Sequence, residues 1–149
     1  MRRTHRLKST PWLATAAALV LVLAACGGTD SSPGTVDAPR NVAITMTDGL
    51  RFEPDRVRVE AGETIRFQVS NPTSIEHEMI IGDEHEQAHH GEEMMEGADM
   101  HDSPSAVFLA PGGSKELTMT FMDAGELLMG CHVDGHYGAG MVGVITVED

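Results

Sequence analysis

The sequence is poor in cysteine, in aromatic residues and in positive charge. Its 149 residues include two cysteines, one tryptophan, one tyrosine and four phenylalanines, and ten lysines and arginines stand against 23 acidic residues. The resulting net charge of −13 repels phosphate, which excludes nucleic acid as a partner. Two cysteines allow at most one disulfide, so the fold does not rest on a disulfide framework.

Long hydrophobic runs are missing too. The apolar stretch from Trp12 to Leu23 has about half of the roughly 20 residues that a bilayer-spanning helix needs. Four basic residues precede this stretch, and no acidic residue occurs before position 26. This pattern predicts a secretory signal over residues 1–25 and disfavours a permanent transmembrane anchor.

The end of the signal resembles a bacterial lipobox. Leu23-Ala-Ala-Cys26 is followed by two glycines, which predicts cleavage before Cys26 and acylation of its thiol. Acyl chains would hold the protein on the outer face of the cytoplasmic membrane, since each buried CH2 contributes about 0.8 kcal/mol. The alternative is an ordinary secreted protein, periplasmic or extracellular, in which Cys26 happens to lie near the cut.

Residues 26–40 are small and polar and contain proline and glycine, which predicts a flexible tether. Residues 41–149 are enough for one domain.

Without the signal, six basic residues remain against 23 acidic ones, a net charge of −17. That charge favours cations or a basic docking partner, or it serves solubility alone. We expect a monomer whose redox partners the sequence does not identify.

Alternating apolar and polar residues predict short strands separated by glycine and proline turns, and hence an all-β sandwich of seven to eight strands. The predicted strands cover residues 41–47, 56–60, 64–70, 77–81, 106–109, 115–121, 126–131 and 142–147. The second and third of these, joined by Ala61-Gly62, are predicted to form a hairpin. The predicted aromatic core consists of Phe52, Phe67, Phe108 and Phe121.

Soft metal ligands concentrate near the C-terminus. Cys131, His136 and Met141 stand five residues apart in a glycine-rich stretch. If Cys26 is acylated, Cys131 is the only free cysteine, and it is either a buried small hydrophobe or a ligand. Two histidines, a cysteine and a weak axial methionine form a blue-copper centre, and His77 supplies the second histidine if two strands converge on one metal.

The domain resembles the cupredoxins, the blue-copper fold of plastocyanin and azurin, over residues 41–149. The resemblance rests on Phe52-Glu-Pro-Asp, on Asn71-Pro72 before His77, and on Cys-x4-His-x4-Met from Cys131 onward. The terminal loop is most similar to rusticyanin-like and auracyanin-like members. The resemblance implies a Greek-key sandwich that holds one copper through His77, Cys131, His136 and, axially, Met141.

Several residues near these ligands carry further expectations. Strand alternation directs His132 to the face opposite Cys131, so it is expected outside the ligand set. Glu78 stands where plastocyanin and azurin have asparagine, which puts the hydrogen bond of that residue in doubt. Unusual backbone angles are expected at the loop glycines: Gly135, Gly138 and Gly140.

Residues 83–102 interrupt the strand pattern with a segment that holds four histidines, three methionines and eight acidic residues. Imidazole and thioether groups bind copper, so this insertion is a possible secondary metal site. Its candidate ligands are His85, His89, His90, Met94, Met95, Met100 and His101. The alternative is an acidic, partly disordered loop.

These observations predict a one-electron carrier that is exported and holds one type 1 copper, rather than an enzyme. A copper-handling protein that sequesters or delivers metal through the insertion is the alternative. A cupredoxin-shaped interaction module without metal is a third possibility.

Overall fold

The structure is a computed structural model that describes residues 32–98 and 101–149. The predicted signal, Cys26 and Met100 lie outside the described residues. Within these two ranges, no helix is both long enough and apolar enough to cross a membrane.

Nine strands and one helix occur in the described residues. In chain order they are β1 (Arg40–Thr47), β2 (Arg51–Glu53), β3 (Arg56–Glu60), β4 (Glu63–Ser70), β5 (His77–Gly82), α1 (Glu84–Met95), β6 (Ala106–Leu109), β7 (Ser114–Phe121), β8 (Gly125–Gly130) and β9 (Val142–Glu148). The eight predicted strands are confirmed to within one or two residues, and β2 was not predicted.

The strands form two sheets that pack face to face. One sheet has the order β2-β1-β4-β7, and the other has the order β3-β9-β8-β5-β6. The pairs β1/β4 and β3/β9 are parallel, and the other neighbours are antiparallel. The predicted all-β sandwich is therefore confirmed.

The predicted hairpin between β3 and β4 is wrong. The turn exists, with Gly62 at a φ of 86°, but it carries the chain from one sheet to the other. β3 pairs with β9, from Arg56 opposite Val144 to Glu60 opposite Glu148. Strand alternation and a turn predict two strands that are consecutive in the chain. They do not determine whether those strands pair with each other.

The inward faces of both sheets form one apolar core. Phe52, Phe67 and Phe121 are buried in it, and the rings of Phe67 and Phe121 meet edge to face at 6.2 Å. The prediction for Phe108 is wrong, because this side chain is only half-buried. Phe108 on β6 pairs with Glu78 on β5, and the residues on either side of Phe108 are buried.

The insertion begins with a helix rather than a loop. Asp83 caps α1, since its side chain accepts from the Glu86 amide at 2.8 Å while the Glu86 side chain accepts from the Asp83 amide at 2.8 Å. This capping box satisfies two backbone donors at the helix start. The helix packs on β5 and β8 and buries Gln87, so β5 is covered on both faces.

At one end of the sandwich, a buried ion pair joins β1 to β4. Arg40 Nε donates to Glu63 at 2.6 Å, and the backbone amides of Gly34 and Glu60 also donate to this carboxylate. Burial alone would raise the pKa of Glu63, but these hydrogen bonds outweigh it and lower the pKa to about 2. Gly34, part of the predicted tether, is thereby fixed to the domain.

We expect Glu63→Gln to destabilise the metal-free protein by about 2 kcal/mol at neutral pH, less than the full pKa shift implies because Arg40 is partly exposed. The lowered pKa stabilises the fold fully above the ordinary value of 4.5, and this stabilisation is lost as the pH falls toward 2. The difference between wild type and variant should therefore shrink in acid. Urea unfolding across this pH range measures it.

Glu116→Gln is the matched control, because Glu116 forms only an exposed 3.8 Å pair with Arg66. Exposed pairs contribute about 0–1 kcal/mol. A difference between wild type and Glu63→Gln that stays constant down to the acid limit would contradict the role given to the Glu63 charge.

Candidate metal centre

Three neighbouring strand ends bring the predicted ligands to one edge of the five-stranded sheet. His77 is the first residue of β5, Cys131 directly follows β8, and Met141 directly precedes β9. β8 lies between β5 and β9 and is antiparallel to both. The start of β5, the end of β8 and the start of β9 therefore meet.

The side chains of His77, Cys131 and His136 form a compact buried cluster. One ligand atom from each lies within 4.8 Å of the others. Cys131 Sγ is 3.8 Å from His77 Nδ1 and 3.4 Å from His136 Nδ1. His77 and Cys131 are fully buried, and His136 is 8% exposed.

Met141 belongs to the same region through its backbone and its burial. Its amide donates to the His136 carbonyl at 3.0 Å, and its carbonyl accepts from the Cys131 amide at 3.2 Å. The Met141 side chain is fully buried in the core cluster that also contains Cys131. The loop that joins β8 to β9 is thus closed by hydrogen bonds between the predicted ligand residues themselves.

Two glycines let this loop turn. Gly135 has a φ of 79° and Gly140 a φ of 91°, a region that side-chain-bearing residues rarely adopt. The expectation for Gly138 is wrong, since its φ is not in this region. The required left-handed residues therefore lie on either side of the turn at His136.

Thr73 and Asn71 orient the His77 ring. Thr73 Oγ1 donates to Asn71 Oδ1 at 2.7 Å, which leaves it as the acceptor for His77 Nε2–H at 3.1 Å. His77 Nδ1 is then the unprotonated nitrogen, and it faces Cys131 Sγ. A metal-ligating histidine needs this arrangement, in which the other ring nitrogen holds the tautomer.

Neither Thr73 nor Asn71 was predicted to have a role of its own in the site. Asn71 is fully buried, and its amide donates to the carbonyls of Ile75, Leu109 and Ala110. Its Oδ1 also accepts from the Thr73 amide at 3.1 Å. Asn-Pro-Thr is typical of a turn in which the asparagine side chain accepts a hydrogen bond from the backbone amide two residues later. This sequence signal would have identified Asn71 and Thr73.

Burial also sets the protonation of the cluster. It raises the pKa of the Cys131 thiol to about 11, and it lowers the pKa of His77, with a further contribution from nearby His136. At neutral pH, the cluster without metal therefore has a neutral thiol and a neutral His77. Metal binding requires the thiolate. The metal–sulfur bond must therefore offset the free-energy cost of burying a negatively charged sulfur.

The donor set fits copper. A thiolate, two neutral imidazoles and a thioether in a closed apolar surround are the ligands of a blue-copper site. Among residues 32–98 and 101–149, this is the one group of three or more histidine, cysteine or acidic ligand atoms within 4.8 Å.

Glu78 and His132 lie next to this cluster and are not part of it. Glu78 is buried, and its carboxylate accepts from the His132 amide at 2.7 Å, while its own amide donates to Cys131 Sγ at 3.4 Å. Glu78 thus contacts the Cys131 sulfur through its backbone amide and the residue after Cys131 through its carboxylate. His132 points away from the cluster and stacks on Tyr137 at 4.3 Å.

The predicted secondary ligands are spread over α1 and the residues after it. His85, His89, Met95 and His101 are exposed, while His90 and Met94 are half-buried. His90 Nε2 is 3.2 Å from both oxygens of Glu78. Within the described part of the chain, their histidines do not belong to a second group of three or more histidine, cysteine or acidic ligand atoms.

A model of copper-binding proteins of the plastocyanin/azurin family matches residues 39–148. The chain belongs to this family. Two relatives, each named copper-resistant cuproprotein CopI, support the assignment. The Rubrivivax gelatinosus protein is 40% identical over 74% of this chain and 68% of its own length. The Pseudomonas aeruginosa protein is 36% identical over 74% of this chain and 77% of its own.

Solved structures of two auracyanins have the same cupredoxin fold. The dithionite-reduced auracyanin of Roseiflexus castenholzii has a TM-score of 0.65 and 29% identity, and the match covers 75% of this chain and 99% of that one. Auracyanin A of Chloroflexus aurantiacus, a blue copper protein, has a TM-score of 0.64 at 23% identity over 74% and 100% of the two chains. This chain is therefore a copper-binding protein of the cupredoxin family.

Proposed function

We propose that the protein is a one-electron carrier with a single type 1 copper. His77, Cys131, His136 and Met141 would hold the metal. The observation that carries this proposal is the buried cluster of two histidines and a cysteine in a chain of the plastocyanin/azurin family. When bound, copper supplies reversible one-electron chemistry between Cu(I) and Cu(II).

The hydrogen bonds around the cluster support electron transfer because they hold each metal-binding residue in place without metal. The His77 ring is fixed by Thr73, the Cys131 sulfur accepts from the Glu78 amide, and the His136 amide donates to the Val133 carbonyl at 2.8 Å. Donors that need not move when the oxidation state changes keep the reorganisation energy small. His77 and Cys131 are fully buried and His136 is 8% exposed, so a substrate has little direct access to the ligands, which supports a carrier rather than an enzyme.

We expect the Cu(II)-loaded protein to have an intense visible thiolate-to-copper band that is absent in Cys131→Ala. Met141→Leu should keep the band and shift the reduction potential, because a thioether ligand would tune the potential without forming the thiolate bond. Visible and paramagnetic-resonance spectra and a redox titration measure these effects. A Cu(II) protein without the band would contradict the proposal, and a melting temperature that copper leaves unchanged would favour the metal-free module.

We also propose that the protein is exported and anchored through acylated Cys26 to the outer face of the cytoplasmic membrane. Gly34 and Arg40 are held at Glu63, where β4 begins, whereas the metal cluster lies beyond its end. Eight extended residues separate these ends by about 25 Å. A tether attached there would present the metal centre away from the membrane.

Expression of the full chain in a bacterial host tests the anchor. We expect the wild type to label with a radioactive fatty acid and to partition with membranes, and Cys26→Ser to lose both properties, because acylation needs the thiol. Cys131→Ser is the matched control and should label like the wild type. Equal partitioning of wild type and Cys26→Ser would instead indicate an ordinary secreted protein.

Copper handling in copper resistance is a second candidate, which three observations favour. Both relatives described above have the name copper-resistant cuproprotein. In addition, α1 places His85 and His89 one turn apart, and His89 Nδ1 lies 3.6 Å from Glu93. A cleft of about 1110 Å³ between α1 and the ligand loop is lined in part by Met94 and Met95. His85 and His89 do not line this cleft, so the imidazoles and the thioethers would collect copper ions at two separate places on α1.

Under this hypothesis, we expect the wild type to bind copper beyond the one equivalent of the type 1 site. A His85→Gln and His89→Gln double variant should lose part of this excess, because it removes two exposed imidazoles and leaves the buried side of α1 intact. Equilibrium metal titration of the copper-loaded protein counts the equivalents. Glu116→Gln on β7 is the control for a lost surface charge, and a total of one equivalent in every variant would exclude the hypothesis.

A further inference from the structure

The helix α1 is attached to the sheet by a buried polar side chain. Gln87 is 1% exposed, and its Nε2 donates to the carbonyls of Ile80 on β5 and Leu128 on β8, both at 3.1 Å. A buried amide costs free energy unless its hydrogen bonds are made. Gln87 therefore fixes α1 relative to the two strands that lead to His77 and Cys131.

The same amide reaches the residue after the cysteine. Gln87 Oε1 accepts from His132 Nε2 at 2.9 Å, and the His132 ring is held between Tyr137 and His90. The two Nε2 bonds to carbonyls fix the orientation of the Gln87 amide. This orientation in turn requires the His132 proton to lie on Nε2.

His90 makes the second link from α1 to the cluster. Its Nε2 lies 3.2 Å from both oxygens of Glu78, whose side chain is 4% exposed. Glu78 Oε1 also accepts from the His132 amide. Through Gln87 and His90, the helix thus contacts the residue that follows His77 and the residue that follows Cys131.

Two glycines permit this close approach. A Cβ at Gly130 would lie 2.1 Å from Gln87 Oε1, and a Cβ at Gly91 would lie 3.0 Å from His132 Nδ1. Glycine inside a helix costs about 0.5–1 kcal/mol relative to alanine. The fit between α1 and His132 accounts for a glycine at position 91.

We propose that Gln87 and His90 are positioning residues of the metal centre. Acting through His132 and Glu78, they hold the strand ends that carry Cys131 and His77 in register and so set the metal affinity and the reduction potential. This inference rests on the ligand assignment of the proposed function. Outer hydrogen-bond partners of metal ligands have effects of this kind, since their loss typically costs about 10–100-fold in affinity.

The test uses the full chain with four single substitutions, one of them a control. Gln87→Met keeps the length of the side chain and removes its three hydrogen bonds. His90→Leu removes the link to Glu78, whereas His90→Gln keeps a nitrogen donor. Glu92→Gln is the control, because Glu92 is an exposed residue of the same helix.

We expect Gln87→Met and His90→Leu to weaken copper binding by about 10–100-fold, and to change the copper hyperfine splitting and the reduction equilibrium. A tenfold change in that equilibrium corresponds to about 59 mV. His90→Gln and Glu92→Gln should resemble the wild type. In the metal-free protein, nitrogen NMR of His132 should show loss of the fixed Nε2–H tautomer in Gln87→Met alone.

The inference is overturned if all four variants have the same thiolate-to-copper band, copper affinity and reduction potential as the wild type. That result would leave the proposed function intact. A wild type without the band would overturn both. If Gln87→Met does not fold, His90→Leu still tests the second link, since it leaves Gln87 in place.

Discussion

The burial of Cys131 between two histidines is the constraint on which the arrangement of the whole domain depends. A thiol in this position is neutral without metal, because burial raises its pKa to about 11. Copper binding therefore removes a proton and leaves a thiolate in an apolar core, which is favourable only if the imidazoles already face the sulfur. The fold meets this condition by fixing the His77 tautomer through Thr73 and by closing the loop around His136 with backbone hydrogen bonds.

The sandwich supplies this geometry through sheet topology rather than through any one sequence segment. Because β8 lies between β5 and β9, ligands that are far apart in sequence arise from adjacent strand ends. The buried faces of both sheets hold these ends in place, and the loop carrying His136 is only eleven residues long from Cys131 to Met141. Gly34 of the predicted tether is bound to Glu63 at the start of β4, whereas the metal cluster lies beyond the end of this strand.

The bounds of the strands and the spacing of the ligands were predictable from sequence. The strand pairing and the helix were not, because local apolar patterns do not show them. Alternation in β1, β4 and β9 and the spacing from Cys131 to Met141 are local signals, and the structure agrees with them. The pairing of β3 with β9 depends on contacts about 90 residues apart, which no local turn reveals. The helix α1 was missed because it buries a glutamine rather than an apolar stripe, although Asp83 and Glu86 have the spacing of a capping box.

The polar character of α1 also connects the two candidate functions. Its outer side presents His85 and His89, which would bind copper ions, whereas its inner side carries Gln87 and His90, which contact the surroundings of the metal cluster. A metal ion bound on the outer side would therefore act on an element that is hydrogen-bonded to Glu78 and His132. Deleting the whole insertion removes both sides at once and cannot separate the roles, while substitutions confined to one side can. The two proposals therefore involve opposite sides of one helix and do not exclude each other.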